Sequence, residues 1–255
     1  MAGLAPRGGR FIRNRVAATA SIEVVAGPGG VTRLPLLASQ VPLVLRRTPE
    51  AVYLVGGAAG PIGGDSLALH ITVGAGAFLR VRTAAASIVL PGPDGLESVL
   101  RVSATVADGG RLEYLPEPVV VTAGARHATL VSVTLSAGAS LVLRDEVLLG
   151  RYGERGGTVR TVSQVSHAGR PLLRHSLELS GSDPASLGPA VLAGHRAVGT
   201  LLRVNGPETA EIPVAGVPVS GTPEVAVMPL ACPGVLITAL AHDAVSLRRR
   251  LTALD

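Results

Sequence analysis

Strict alternation of apolar and polar residues is the first regularity in the chain. Leu67, Leu69, Ile71 and Val73 are separated by Ala68, His70 and Thr72, and Leu100, Val102, Ala104 and Val106 by Arg101, Ser103 and Thr105. A period of two sends one set to each face of an extended strand, so both stretches read as half-buried strands. Similar short runs rich in Val, Leu, Ile and Thr recur between turn formers, 32 glycines and 19 prolines in 255 residues. That punctuation predicts many short strands. Four strand–turn–strand units centre on Gly76, Gly110, Gly138 and Gly169, which lie 34, 28 and 31 positions apart. Regular spacing without a fixed side-chain signature predicts stacked strand pairs, in a sandwich or a β-solenoid.

Helical patterning is scarce. Leu240, Ala244, Leu247, Leu251 and Leu254 recur at intervals of four, three, four and three, one apolar stripe of a C-terminal helix. Arg248, Arg249 and Arg250 lie towards its C-terminal end, where cations complement the helix dipole. A second candidate helix spans Pro189 to Leu202, weakened by Gly194 and Gly199. The expected fold is therefore mainly β: many short strands in a stacked sandwich or solenoid-like architecture, with one or two helices including the C-terminal one. No linker is long enough to divide the chain, so residues 1–255 are expected to form a single β-rich domain. The segment SGSDPASLGP (180–189) marks a change to a C-terminal subregion.

Composition narrows the chemistry. The formal charge of +5 comes from 23 basic and 18 acidic residues, and every basic residue is arginine. Without lysine there is neither a Walker-type phosphate loop nor Schiff-base catalysis. Aromatic residues are only 2% of the chain, with no tryptophan. Single-strand readers stack bases on aromatic platforms, and the arginines are dispersed among acids apart from clusters near each end, so nucleic-acid binding is not expected. The uncharged stretch Val225 to His242 is interrupted by Pro229, Pro233 and Gly234 and reads as two strands and a turn, not as a membrane span. Val16 to Ile22, which follows Arg10, Arg13 and Arg15, is too short and too rich in Ala and Thr for a secretory core. The lone Cys232 fits a reducing compartment, and a cytoplasmic location is expected.

No Gly-x-Ser-x-Gly elbow occurs, and no two histidines have the i, i+4 spacing of a helix-borne metal site. The carboxylates carry more promise. Asp65 follows Gly63 and Gly64, Glu113 lies beside Tyr114 in a β-patterned stretch, Asp145 and Glu146 end an apolar strand, Leu141 to Leu143, and Glu154 lies between glycines. Carboxylates on a β scaffold can run acid–base chemistry or pass a divalent cation. They can equally be strand-end charges paired with arginine, and Arg144 and Arg151 are close in sequence. A β-solenoid carbohydrate-active enzyme using Asp65, Glu113 or Glu146 is one alternative, disfavoured by the shortage of aromatics for sugar stacking. An unrelated β-rich protein-binding module is another.

Four segments, in order over residues 60–160, resemble the UreD/UreH family of urease accessory proteins. Gly60-Pro61-Ile62-Gly63-Gly64-Asp65-Ser66-Leu67 is similar to the family's glycine-rich turn. Val81-Arg82-Thr83-Ala84-Ala85-Ala86-Ser87 is similar to its Thr-Gln-Ala strand. Gly110-Arg111-Leu112-Glu113-Tyr114-Leu115-Pro116-Glu117 is similar to its Leu-Glu-Trp-Leu-Pro-Gln element, and Glu146 to Glu154 (EVLLGRYGE) to its Glu…Gly-Arg…Gly-Glu element. Departures are Ala84 for Gln, Ile88 where Lys is common, Tyr114 for Trp and Glu117 for Gln, as in a divergent, arginine-rich member. The resemblance implies a non-enzymatic β-rich scaffold without a tightly bound cofactor. It implies work with a helical partner (UreF) and a GTPase (UreG) to load nickel into apo-urease, nickel passing in transit. On that basis Asp65, Glu113, Glu146 and Glu154 are expected to line a guarded polar path or an interface, and Tyr114, Tyr152 and Arg151 to contact partners.

Overall fold

The computed structural model describes residues 15–204, 224–231 and 234–253. Cys232, Leu254 and the arginines at 7, 10 and 13 lie outside the described residues. The strands in chain order begin with β1 (Ala17–Ala26), β2 (Thr32–Ala38), β3 (Leu43–Arg47), β4 (Val52–Gly56), β5 (Ser66–Val73) and β6 (Phe78–Thr83). There follow β7 (Ser87–Val89), β8 (Ser98–Val106), β9 (Arg111–Leu115), β10 (Val119–Val121), β11 (Arg126–Leu135) and β12 (Ser140–Leu149). The last are β13 (Thr158–His167), β14 (Arg170–Ser180), β15 (Ala197–Val204), β16 (Val225–Pro229) and β17 (Gly234–Ala241). The helices are α1 (Pro184–Leu187) and α2 (Ala244–Thr252).

Two sheets stack. One has seven strands in the order β14-β13-β11-β8-β5-β1-β2, and the other runs β16-β17-β15-β12-β9-β6-β4-β3, with β10 and β7 attached beside β12. The middle of each sheet is parallel. Ser66 pairs with Val99 and Ala128 with Arg160, while Phe78 pairs with Arg111 and Arg111 with Ser140. Successive turns of chain thus lie directly over one another in solenoid coils. Antiparallel pairs close the ends: β1 with β2, β13 with β14, β3 with β4, and β12, β15, β17 and β16 in succession.

The glycine turns explain this coiling. Those at Gly76, Gly110 and Gly138 are corners that carry the chain from one sheet to the other, whereas the turn at Gly169 makes a hairpin between β13 and β14. The corners bond to each other: Gly76 N–H donates to the Asp108 carbonyl at 3.1 Å and Gly138 N–H to Asp108 Oδ1 at 2.8 Å. At Gly110 an added Cβ would lie 3.0 Å from the Gly74 carbonyl oxygen, so the stacking itself demands glycine there.

The alternating residues do what their pattern predicts. Leu67, Leu69, Ile71, Val73, Val102, Ala104 and Val106 are all buried between the sheets. The uncharged stretch near the C-terminus forms β16 and β17, and no helix among the described residues is long and apolar enough to cross a membrane. The second candidate helix is not formed. Residues 189–194 are turns that lead through an irregular link into strand β15, and the helix nearby is the four-residue α1, capped by Asp183. Gly199 lies in β15, where an added Cβ would come 3.0 Å from Leu251 and 3.1 Å from Glu146. It is a packing position under α2, and sheet pairing overrides any local helical tendency there. The C-terminal stripe is divided: Leu240 belongs to β17, while Ala244, Leu247 and Leu251 belong to α2.

Candidate functional site

Each carboxylate singled out in the sequence is held by named donors. Asp65 Oδ1 accepts from Val16 N–H at 3.0 Å and Oδ2 from Ile62 N–H at 2.9 Å, so this buried side chain ties β1 to the turn before β5. Glu113, 4% exposed, accepts from Arg80 Nε at 2.5 Å and Arg111 Nη2 at 2.6 Å. Both guanidiniums also lie over the Phe78 ring, 5.6 and 5.4 Å from its centroid. Burial alone would raise the Glu113 carboxyl, but its two arginine hydrogen bonds outweigh that and hold it below the ordinary range.

Glu146 is the centre of a larger network. Its side chain is fully buried and accepts from Arg248 Nε at 2.6 Å and Nη2 at 2.5 Å, with Arg144 Nε 3.6 Å away. Arg248 also donates to both oxygens of Glu117, at 3.3 and 3.1 Å. Arg144 donates to the Leu115 and Pro116 carbonyls, and desolvation lowers its pKa. The network joins α2 to β12 and to the Pro-Glu segment after β9.

Glu154 makes a bidentate pair with Arg151, at 2.9 and 3.1 Å. That hydrogen bond, aided by the Arg151 and Ala123 backbone N–H groups, pulls its carboxyl down to about 2. Tyr114 is 5% exposed within the main core, so it is not available to a partner in this structure, and burial pushes its hydroxyl pKa up. Tyr152 is 100% exposed and Arg151 is also at the surface. Among the described residues, no three His, Cys, Asp or Glu side chains converge on one metal position.

A polar layer inside the sheets escaped the sequence reading. Two apolar clusters fill the space between the sheets, one containing Leu141, Leu143, Val131 and Val165, the other Val121, Val147, Leu149 and Val159. Between them the inward positions turn polar: Asp145 on β12, His127 and Thr129 on β11, Thr161 on β13 and Ser98 on β8. His127 Nδ1 lies 2.8 Å from Ser98 Oγ and Nε2 lies 3.2 Å from Thr129 Oγ1. Thr129 is in register with Thr161, and Asp145 accepts a hydrogen bond from the Thr161 hydroxyl. Burial lowers the His127 pKa to about 4, leaving it neutral at physiological pH. Burial and then the charge of Glu146 push the half-buried Asp145 carboxyl up to about 6, against the pull of Thr161. Asp145 and Glu146, expected at a strand end, both lie in the middle of β12, which continues to Leu149. The signal was in the alternation Leu141, Leu143, Asp145, Val147, Leu149, which puts one acid on an otherwise apolar face.

This geometry has family company. The family model described as "UreD urease accessory protein" matches residues 17–254. The chain belongs to the UreD urease accessory protein family. A UreD urease accessory protein of Parafrankia sp. (strain EAN1pec) is 44% identical, over 95% of this chain and 89% of its own length. One from Frankia alni is 44% identical over 98% of this chain and 94% of its own, and one from Streptomyces coelicolor is 44% identical over 91% and 93%. The UreD match covers both sheets, the α2 network and the polar layer alike.

Proposed function

We propose that this protein is a non-enzymatic scaffold of urease maturation, which helps deliver nickel to apo-urease in the cytoplasm together with a UreF-type helical protein and a UreG-type GTPase. The observation that carries this reading is the UreD similarity along nearly the whole chain, 44% identity over 95% of it to a protein named for urease accessory work. Nickel in this reading is cargo and not a resident cofactor. Of the carboxylates expected to guide it, Glu113, Glu146 and Glu154 are bonded to arginines and Asp65 to backbone N–H groups, which supports structural duties for all four. The interior layer of Asp145, Thr161, Thr129 and His127 supplies oxygen and imidazole groups of the kind a divalent cation can meet in passing. Asp145, whose carboxyl is raised only to about 6, is mostly ionised at neutral pH and can offer its carboxylate to such a cation.

Tagged protein co-expressed with the helical accessory partner should retain that partner through size-exclusion chromatography as one stable complex. Elution of the two as separate species would overturn the scaffold reading and favour an unrelated β-rich binding module.

A further inference from the structure

Helix α2 covers only part of the sheet face on which it lies. It packs on β15 and β17, where Leu247 and Leu251 meet Ala197, Leu201, Ile237 and Ala241. The same outward row of the sheet continues past it. Ala241 pairs with Ala197, Ala197 with Leu148, Leu148 with Val120 and Val120 with Ile88. Partners in register share a face, and their sequence neighbours Val89, Val121, Val147 and Leu149 fill the core on the other side. The row stays apolar as it leaves the helix: Leu148 and Val120 are half-buried, and Ile88 is 45% exposed. Val245, 63% exposed, stands one turn before Arg248 on the flank of α2 that faces this row. Arg248 fixes that direction, because it reaches Glu146 on β12 and Glu117 after β9.

The uncovered strip has the width of a helix. Neighbouring helices pack about 8–10 Å apart, roughly the width of two strands. A helix laid beside α2 would therefore lie over β12 and β10, with Ile88 on its far side. Backbone pairing holds this floor in place before any partner arrives. The rim is charged. Its acids are occupied: Glu146 and Glu117 by Arg248 and Arg144, and Asp243 as the cap of α2. Arg82, whose charge is felt at Arg144, and Arg249 are exposed and form no ion pair among the described residues. The charge left over at the rim is thus positive, and it calls for carboxylates on whatever lies in the strip.

We infer that the uncovered row beside α2 is the berth of an amphipathic helix of the helical accessory partner. Its apolar side lies on Ile88, Val120, Leu148 and Val245, and its carboxylates face Arg82 and Arg249. The inference rests on the scaffold role proposed above and adds where, and by what kind of element, that one partner is held. The test titrates the full chain with the purified helical accessory protein and follows hydrogen exchange in the complex. Ile88→Asp should weaken binding about thirty-fold or more, because it buries a charge at the centre of an apolar contact. Its melting temperature should stay close to that of wild type, since the side chain is at the surface. Arg82→Glu should slow association, more at low salt than at high salt. Thr72→Asp, at an exposed position on the outer face of the other sheet, should bind as wild type does. On binding, exchange should slow across residues 84–90, 117–121 and α2. Wild type that binds while Ile88→Asp binds equally well, or while protection falls only on other segments, would overturn the helix berth and leave the scaffold role standing. Wild type that does not bind would overturn the scaffold role and the berth with it. Protection of the same segments in the chain alone, growing with its concentration, would assign the face to a second copy and overturn the inference.

Discussion

Asp145 shows how far a single residue can depart from its apparent part in the sequence. Beside Arg144 and Glu146 it reads as one charge among several at the end of an apolar run, yet strand alternation turns it inward and its two neighbours outward to the α2 side. The same alternation sends Tyr114 into the core and leaves Tyr152, in a loop, outside. Which residues are strand and which are loop decided these fates, and that depends on long-range pairing that local patterns do not contain. The raised Asp145 pKa has a measurable consequence. Its folded value of about 6 lies above the ordinary 3.8, so the folded chain keeps a proton that the unfolded chain gives up. The stability linked to that proton is whole below pH 3.8 and is lost as pH rises through about 6. Asp145→Asn should therefore match wild type near pH 4 and exceed it by about 1–3 kcal/mol at pH 7 in denaturant midpoints. A difference that does not change with pH would refute the assignment.

Among elements, α2 is the most dependent on distant parts of the chain. Leu247 and Leu251 are completely buried against β15 and β17, and the Asp243 side chain caps the first turn by accepting from Ser246 N–H at 2.8 Å. The apolar stripe and the arginines of this helix were legible in the sequence. Its ion-pair partners were not, because Glu146 and Glu117 lie 102 and 131 residues away. The capped, apolar-striped helix is thus pinned by a pair whose carboxylate has no contact with water. Arg248→Met should cost about 2–4 kcal/mol, since it strands Glu146 with only the more distant Arg144. Adding Glu146→Gln should recover much of that loss in chemical unfolding. A single variant as stable as wild type would show that the network contributes nothing. The failed helix at 189–202 has the complementary cause: Gly199 exists to admit Leu251 and Glu146, a tertiary reason that no local pattern reveals.

At the scale of the molecule, the alternation and the glycine spacing were enough to foresee a stacked β architecture, and the apolar stripe its C-terminal helix. They could not say that three of the four glycine turns are corners between sheets, because a corner and a hairpin share one local sequence signal. The polar layer likewise appears only once β11 and β13 are in register and β12 faces them from the other sheet. The central claim is that this solenoid serves urease assembly. It is tested most directly by the nickel content and activity of urease purified from cells that carry the structural and other accessory genes, with and without this chain. The account predicts nickel-poor, inactive urease without it and recovery of both when it is restored. Fully loaded, fully active urease in its absence would contradict the account.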